Sequence, residues 1–271
     1  MSVPTAQTPD LPGRGLSRRF RMARIVSALI LREMSTRYGR SPGGYLWALI
    51  EPLGAIAILS LGFSMLMRTP PLGSSFLLFF ATGFVPFNLY MQLSGLLARS
   101  LNFSKALLAY PIVTWVDALV ARALLNSLTG ILVSYILLAV LELLQGDPLA
   151  IDLIPVLQAM GLALLVGVSM GTLNCALQGL IAIWTHVWTI FTRPLFLASG
   201  VIILYDSLPR LAQQILWYNP LMHVTGLMRR GFYPNYEASY VSIPYVIGVS
   251  LGLLFMGVVL LGRYHRQILS R

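Results

Sequence analysis

The sequence predicts an all-α membrane protein. It should have six transmembrane helices, an amphipathic helix before the first of them, and two short re-entrant helices before the last. Three observations predict this. No charged residue occurs between Arg122 and Glu142, nor between Asp152 and His186, and a helix crossing the ~30 Å hydrocarbon core needs runs of roughly 20 such residues. Of the 271 residues, 57% are hydrophobic and only 10% charged, with a mean hydropathy of +0.77, which leaves little room for a soluble domain. The positive charge is also strongly asymmetric: Arg14, Arg18, Arg19, Arg21, Arg24, Arg32, Arg37 and Arg40 all precede the first apolar run, which places the N-terminus in the cytoplasm.

Taken in order, residues 1–15 hold Pro4, Pro9, Pro12, Gly13 and Gly15 and read as a disordered leader. Residues 16–44 read as an interface helix. Phe20, Ala23, Val26, Ile30, Met34 and Tyr38 recur at spacings of three and four, so the apolar stripe lies in the acyl boundary and the arginines face headgroups. The apolar stretch from Ile25 to Leu31 is broken by Arg32 and followed by no small-residue cleavage site, so it is not a secretory signal. The membrane domain then covers residues 45–262. Its first span runs from Tyr45 to Met67, anchored by Tyr45 and Trp47, and its second from Ser75 to Ala98. Residues 99–115 form a short basic loop with a small amphipathic helix. The third span runs from Asp117 to Leu144 and the fourth from Leu153 to Gln178, separated by a turn at Gly146-Asp147-Pro148. The fifth covers Phe191 to Tyr205. Within residues 208–232, Leu208–Trp217 and Leu221–Phe232 are too short to cross and read as the re-entrant pair. The sixth span is Tyr245 to Gly262, and residues 263–271 form a cytoplasmic tail. With six spans both termini are cytoplasmic. Thirteen basic residues then fall inside, against Arg68, Arg210, Arg229 and Arg230 outside, with Arg122 and Arg193 within the spans.

The formal net charge of +10 does not imply nucleic acid, because removing the spans leaves no recognition fold. Cys175 is the only cysteine, and His186 and His223 have no neighbour at metal-ligand spacing, so no metal is expected. No G-x-S-x-G, H-E-x-x-H or phosphate-binding G-x-x-x-x-G-K-[ST] motif occurs. There is no catalytic site, and any ATP-driven transport needs another polypeptide to bind nucleotide. No internal repeat and no chain of buried carboxylates points to a self-sufficient carrier.

Several residues are candidates for function. Glu51, Asp117 and Arg122 sit near the cytoplasmic boundary, either as a fixed ion-pair network or as a gate that breaks and reforms. Arg193, followed by Pro194, either faces a cavity and attracts an anionic substrate or snorkels to the interface. The stripe Phe76, Phe80, Phe84, Phe87, continued by Tyr90, either packs against helices or lipid or stacks on sugar rings.

Two distant segments carry a family resemblance. Residues 31–52, LREMSTRYGRSPGGYLWALIEP, and 217–236, WYNPLMHVTGLMRRGFYPNY, look like the opening and closing signatures of type-2 ABC exporter membrane subunits for capsular polysaccharide and O-antigen. Ala121-Arg122-Ala123 also fits, and the resemblance covers about residues 25–265, the capsule branch fitting better. It implies a homodimer in the bacterial inner membrane carrying two ATP-binding subunits, with ATP and Mg on those partners. It also implies a periplasmic adaptor, an outer-membrane export protein and a lipid-linked polysaccharide substrate. Under the resemblance, residues 99–115 become the coupling helix, with Arg37, Arg99 and Lys105 facing the ATPase. Residues 208–232 line the exit, where Arg229 and Arg230 hint at an acidic polymer that also passes Arg193, Phe84, Phe87 and Tyr90. Two other readings compete. One is an ABC-2 permease for O-antigen, teichoic acid, a lipid or a drug. The other is a membrane glycosyl or acyl transferase using Glu51 and Asp117 as its acid/base pair.

Overall fold

The computed structural model describes residues 18–38, 44–110, 112–145 and 150–270, excepting the side chains of residues 18–21, 37, 38, 44, 45 and 145. The leader at 1–15, the turn at Gly146-Asp147-Pro148 and the Arg37 side chain lie outside the described residues.

The regular secondary structure among the described residues is all helical. Helix α1 is Arg18–Tyr38, α2 Gly44–Leu66, α3 Phe76–Ala98, α4 Ser100–Leu108 and α5 Trp115–Gln145. Helix α6 is Leu153–Leu180, α7 Trp184–Ala198, α8 Arg210–Leu216, α9 Pro220–Phe232 and α10 Ile243–Ser270, with a single 3-10 turn at Tyr205–Ser207. Side chains punctuate the chain where the apolar runs begin. Ser75 Oγ accepts from Leu78 N at the start of α3 (3.4 Å), and Asp152 Oδ1 accepts from Ile154 N at the start of α6 (3.0 Å). Asn219 Oδ1 accepts from Leu221 N (3.1 Å), with Pro220 in the first turn of α9. Each satisfies an amide that the helix itself leaves unpaired.

Among the described residues, five segments are long and apolar enough to cross a membrane: α2, α3 with α4, α5, α6 and α10. The expected fifth span at Phe191–Tyr205 is not among them. Its helix, α7, begins at Trp184, whose Nε1 donates to Asn174 Oδ1 on α6 (2.9 Å), and it ends at Ala198 before Gly200, at φ +73°. At 15 residues it is about 22 Å long. The expected cytoplasmic tail at 263–271 is not a separate element either. Neither Gly nor Pro interrupts Arg263–Ser270, and α10 continues through it to bury Ile268.

Helix α6 is the centre of the bundle, packing along α3 on one side and α10 on the other and meeting α9. The apolar stretch of α3 is 67% buried and that of α6 50%, against 11% for α2, so α3 and α6 form the inner layer. Their close approach depends on Gly167 and Gly171, one turn apart. A Cβ on Gly171 would lie 2.7 Å from Leu97 Cβ and 2.9 Å from the Ser94 carbonyl. Gly257 plays the same part in α10, where a Cβ would lie 2.8 Å from Leu173 N. Small residues at helix contacts maximise dispersion where burial in lipid supplies little driving force.

Candidate functional site

Two polar constellations occupy opposite ends of the bundle, one beside Arg99 just past the C-terminal end of α3 and the other against Phe79 and Gly83 in its first turns. The first centres on Arg122, in the second turn of α5. Its Nε lies 3.3 Å from Glu33 Oε1 on α1, and both side chains are nearly buried. Its Nη1 donates to the Arg99 carbonyl at the α3–α4 corner (3.4 Å), and its guanidinium covers the Phe103 ring of α4 at 4.3 Å. Asn126, one turn further along α5, donates from Nδ2 to the same Glu33 oxygen (3.3 Å) and to the Arg122 carbonyl (2.8 Å). Arg32 lies over Phe103 at 5.6 Å. An arginine suits this role because its planar fork pairs with a carboxylate while its face stacks on a ring.

The second constellation fixes α8 and α9 against the rest of the chain. Asn219 Nδ2 donates to the Ala198 carbonyl (2.9 Å) and Thr225 Oγ1 to the Ser199 carbonyl (2.7 Å). Arg229 Nη2 donates to the Val201 carbonyl (2.9 Å), and its guanidinium stacks on Phe79 at 4.3 Å. Gly83 leaves room for it, since a Cβ there would lie 3.1 Å from Arg229 Nη2. His223 accepts at Nδ1 from Ser242 N (3.2 Å), which assigns the proton to Nε2, donating to the Trp217 carbonyl (2.7 Å). Burial holds this imidazole below its usual pKa, and burial likewise pushes the Tyr233 and Tyr240 phenols up to about 12. Two open depressions flank this region. One, of about 720 Å³, is lined by Asp152, Arg230, Tyr236, Glu237 and Ser239 among others. The other, of about 800 Å³, is lined by Tyr205, Gln214, Ile215, Trp217 and Tyr218.

The expected grouping of Glu51, Asp117 and Arg122 is redistributed. Glu51 is exposed on α2. Asp117 Oδ2 accepts from Thr114 N (2.9 Å) and Thr114 Oγ1 (2.7 Å), while Asp117 N donates back to Thr114 Oγ1 (3.3 Å). That reciprocal pair is a capping box for α5. The acidic partner of Arg122 is Glu33, and sequence reasoning missed it together with Phe103 and Asn126. A signal existed, because Glu33 is the single acidic residue in the arginine-rich α1. The aromatic stripe is a packing surface in this structure: Phe84 and Phe87 meet the Phe196 ring at 6.3 and 5.3 Å, and Tyr90 is buried. Arg229 is buried rather than lining an exit, whereas Arg230 is exposed beside Asp152 and Glu237. Arg193 and Pro194 are exposed on α7, and Arg99 and Lys105 are exposed at α4.

The ABC-2 type transporter family matches residues 24–233, from α1 through the end of α9. The chain belongs to the ABC-2 type transporter family. This ABC-2 protein is 31% identical over 238 residues to the polysialic acid transport protein KpsM of Escherichia coli, covering 87% of this chain and 91% of KpsM. It is 26% identical over 245 residues to the capsule polysaccharide export inner-membrane protein BexB of Haemophilus influenzae, covering 90% and 92%. It is 23% identical over 245 residues to CtrC of Neisseria meningitidis serogroup B, also a capsule polysaccharide export inner-membrane protein, with the same coverage. An all-helical, polytopic membrane subunit devoted to transport accounts for both the family match and the five apolar segments.

Proposed function

We propose that this chain is the membrane subunit of an ATP-driven exporter carrying lipid-linked capsular polysaccharide across the inner membrane. The observation that carries the proposal is the end-to-end similarity to capsule-export inner-membrane proteins, about nine-tenths of both chains. Two copies of the chain form the translocation path and two ATP-binding subunits, with their Mg, dock on the cytoplasmic side. The helices α1 and α4 receive the stroke. α7, although short, is the fifth of six crossing elements, and α8 with α9 form the re-entrant pair at the periplasmic exit, so both termini are cytoplasmic. A periplasmic adaptor and an outer-membrane protein take the polymer onward. The depression with Tyr205, Trp217 and Tyr218 suits a saccharide, since aromatic faces offer rigid, amphipathic contact area. The transferase reading loses its support here, because Asp117 is engaged as a helix cap and Glu51 is exposed elsewhere.

Depleting this chain in its native cell and fractionating long polysaccharide tests the proposal. Polymer trapped inside with synthesis intact is the expected result. Normal surface polymer would move the substrate to a lipid or drug, and loss of polymer everywhere would revive the transferase.

A further inference from the structure

Arg122 closes a triangle of contacts. The first side joins α1 to α5: Glu33 Oε1 lies 3.3 Å from Arg122 Nε and 3.3 Å from Asn126 Nδ2. Because Arg122 and Asn126 are one turn apart on α5, the carboxylate is held at two points along that helix, which opposes rotation of α1 about the contact. The second side joins α5 to α4 through the guanidinium on Phe103 at 4.3 Å. The third joins α4 back to α1 through Arg32 over the same ring at 5.6 Å. A corner brace is added where Arg122 Nη1 meets the Arg99 carbonyl at the junction of α3 and α4.

Such a triangle has a purpose that the individual contacts do not reveal. Helix α4 has nine residues, of which only Ser100, Leu101 and Ser104 are buried, and a helix that short has little stability of its own. Helix α1 is largely exposed along its described side chains, with Val26 and Glu33 its buried members. Helix α4 follows α3 directly through Arg99, but neither α4 nor α1 moves together with α5 unless something stiff ties them to it. We propose that the Glu33–Arg122–Phe103 triangle is a permanent joint that makes α1, α4 and α5 a single rigid body, with Glu33 as its positioning residue. A permanent joint, rather than a gate, follows from burial: both side chains are nearly buried, so parting the two charges gives up their mutual attraction where little water reaches to replace it. The inference rests on the exporter reading, in which α1 and α4 face the ATP-binding partner, and it adds the route by which motion reaches the spans.

The test uses the full complex in proteoliposomes. Ala28→Cys on α1 and Leu128→Cys on α5, both exposed, are spin-labelled in a Cys175→Ala background, leaving the joint itself untouched. The α1–α5 distance is measured without nucleotide and in the vanadate-trapped state, and it is expected to stay the same. A shift of more than about 2 Å, the scale of helix displacements in switching proteins, would overturn the joint and make the pair a gate. Glu33→Gln keeps an oxygen for Asn126 but removes the charge. In assembled complexes it is expected to raise the ATP consumed per polymer exported about tenfold. A parallel fall in hydrolysis and export, or an unchanged ratio, would overturn the proposal. Should Glu33→Gln fail to assemble, the labelled pair decides alone. Wild-type complex that hydrolyses ATP yet moves no polysaccharide would refute the exporter reading, while the distance still decides the joint.

Discussion

Substituting valine for Gly171 isolates the α3–α6 contact. A Cβ at this position would sit 2.7 Å from Leu97 Cβ and 2.9 Å and 3.0 Å from the Ser94 carbonyl oxygen and Cα. All three are main-chain or Cβ atoms, so no side-chain rotation relieves the overlap, and α3 and α6 must part. Comfortable carbon–carbon separation is about 3.5–4.0 Å, and a radial gap of 0.5–1 Å already forfeits a quarter to a half of each dispersion contact. Overpacking of this kind costs about 1–3 kcal/mol, and two further methyl groups place Gly171→Val at the upper end. Helix propensity does not confuse the comparison, since Gly and Val differ by only a few tenths of a kcal/mol. At Gly161, on the same helix, a Cβ would have nothing within 4 Å, so Gly161→Val is expected to stay within about 0.5 kcal/mol of wild type. Denaturant titration in mixed micelles reads both variants. Equal stability of Gly171→Val and wild type, or an equal loss in Gly161→Val, would refute the close-packing argument.

Further outcomes follow from the two ends of the bundle. Thr114→Ala should cost about 1 kcal/mol by removing the α5 cap. Its effect should add to that of Arg122→Ala within about 0.5 kcal/mol in a double-mutant cycle, whereas strong coupling would return Asp117 to the role of counter-ion. His223 lies in α9, outside the five long apolar segments, and its folded pKa is lowered by burial. The unfolded chain therefore binds the proton more readily, so this contribution to stability is complete above the unfolded value of about 6.5 and is lost as pH falls below it. Melting temperatures between pH 8 and pH 5 should fall more steeply for wild type than for His223→Gln, and identical slopes would exclude His223 as the cause.

The architecture was legible to the degree that it rests on local pattern. Uncharged runs locate α5 and α6 to within two residues because a helix in hydrocarbon needs continuous apolar surface, whatever its neighbours. The α8–α9 break at Asn219-Pro220 is likewise local chemistry, a cap followed by proline. The misses are non-local or turn on a single side chain. The span expected from Phe191 misses the seven residues before it, where α7 begins at Trp184 with a bond to Asn174 of α6. Glu33 and Asn126 are 93 positions apart, a pairing that no periodicity encodes. The Thr114-x-x-Asp117 cap was visible as a short motif, but Asp117 beside Arg122 invited an electrostatic reading instead. Arg229 resembles an exit residue from its neighbours, and only the fold reveals that Phe79 and Val201 enclose it.

The continuation of α10 to Ser270 has a consequence for how the molecule is made. Ile268 is buried against Gly179 and joins Leu97, Leu101, Leu119 and Cys175 in one apolar cluster beneath α4. At about 5–20 residues per second, Ile268 is synthesised on the order of ten seconds after α4. Throughout that interval the underside of α4 is an unfinished hydrophobic surface. A nascent chain can therefore signal its own immaturity: until the last helix is delivered, this end of the bundle is sticky but not yet shaped, a state that membrane proteases and chaperones are equipped to recognise.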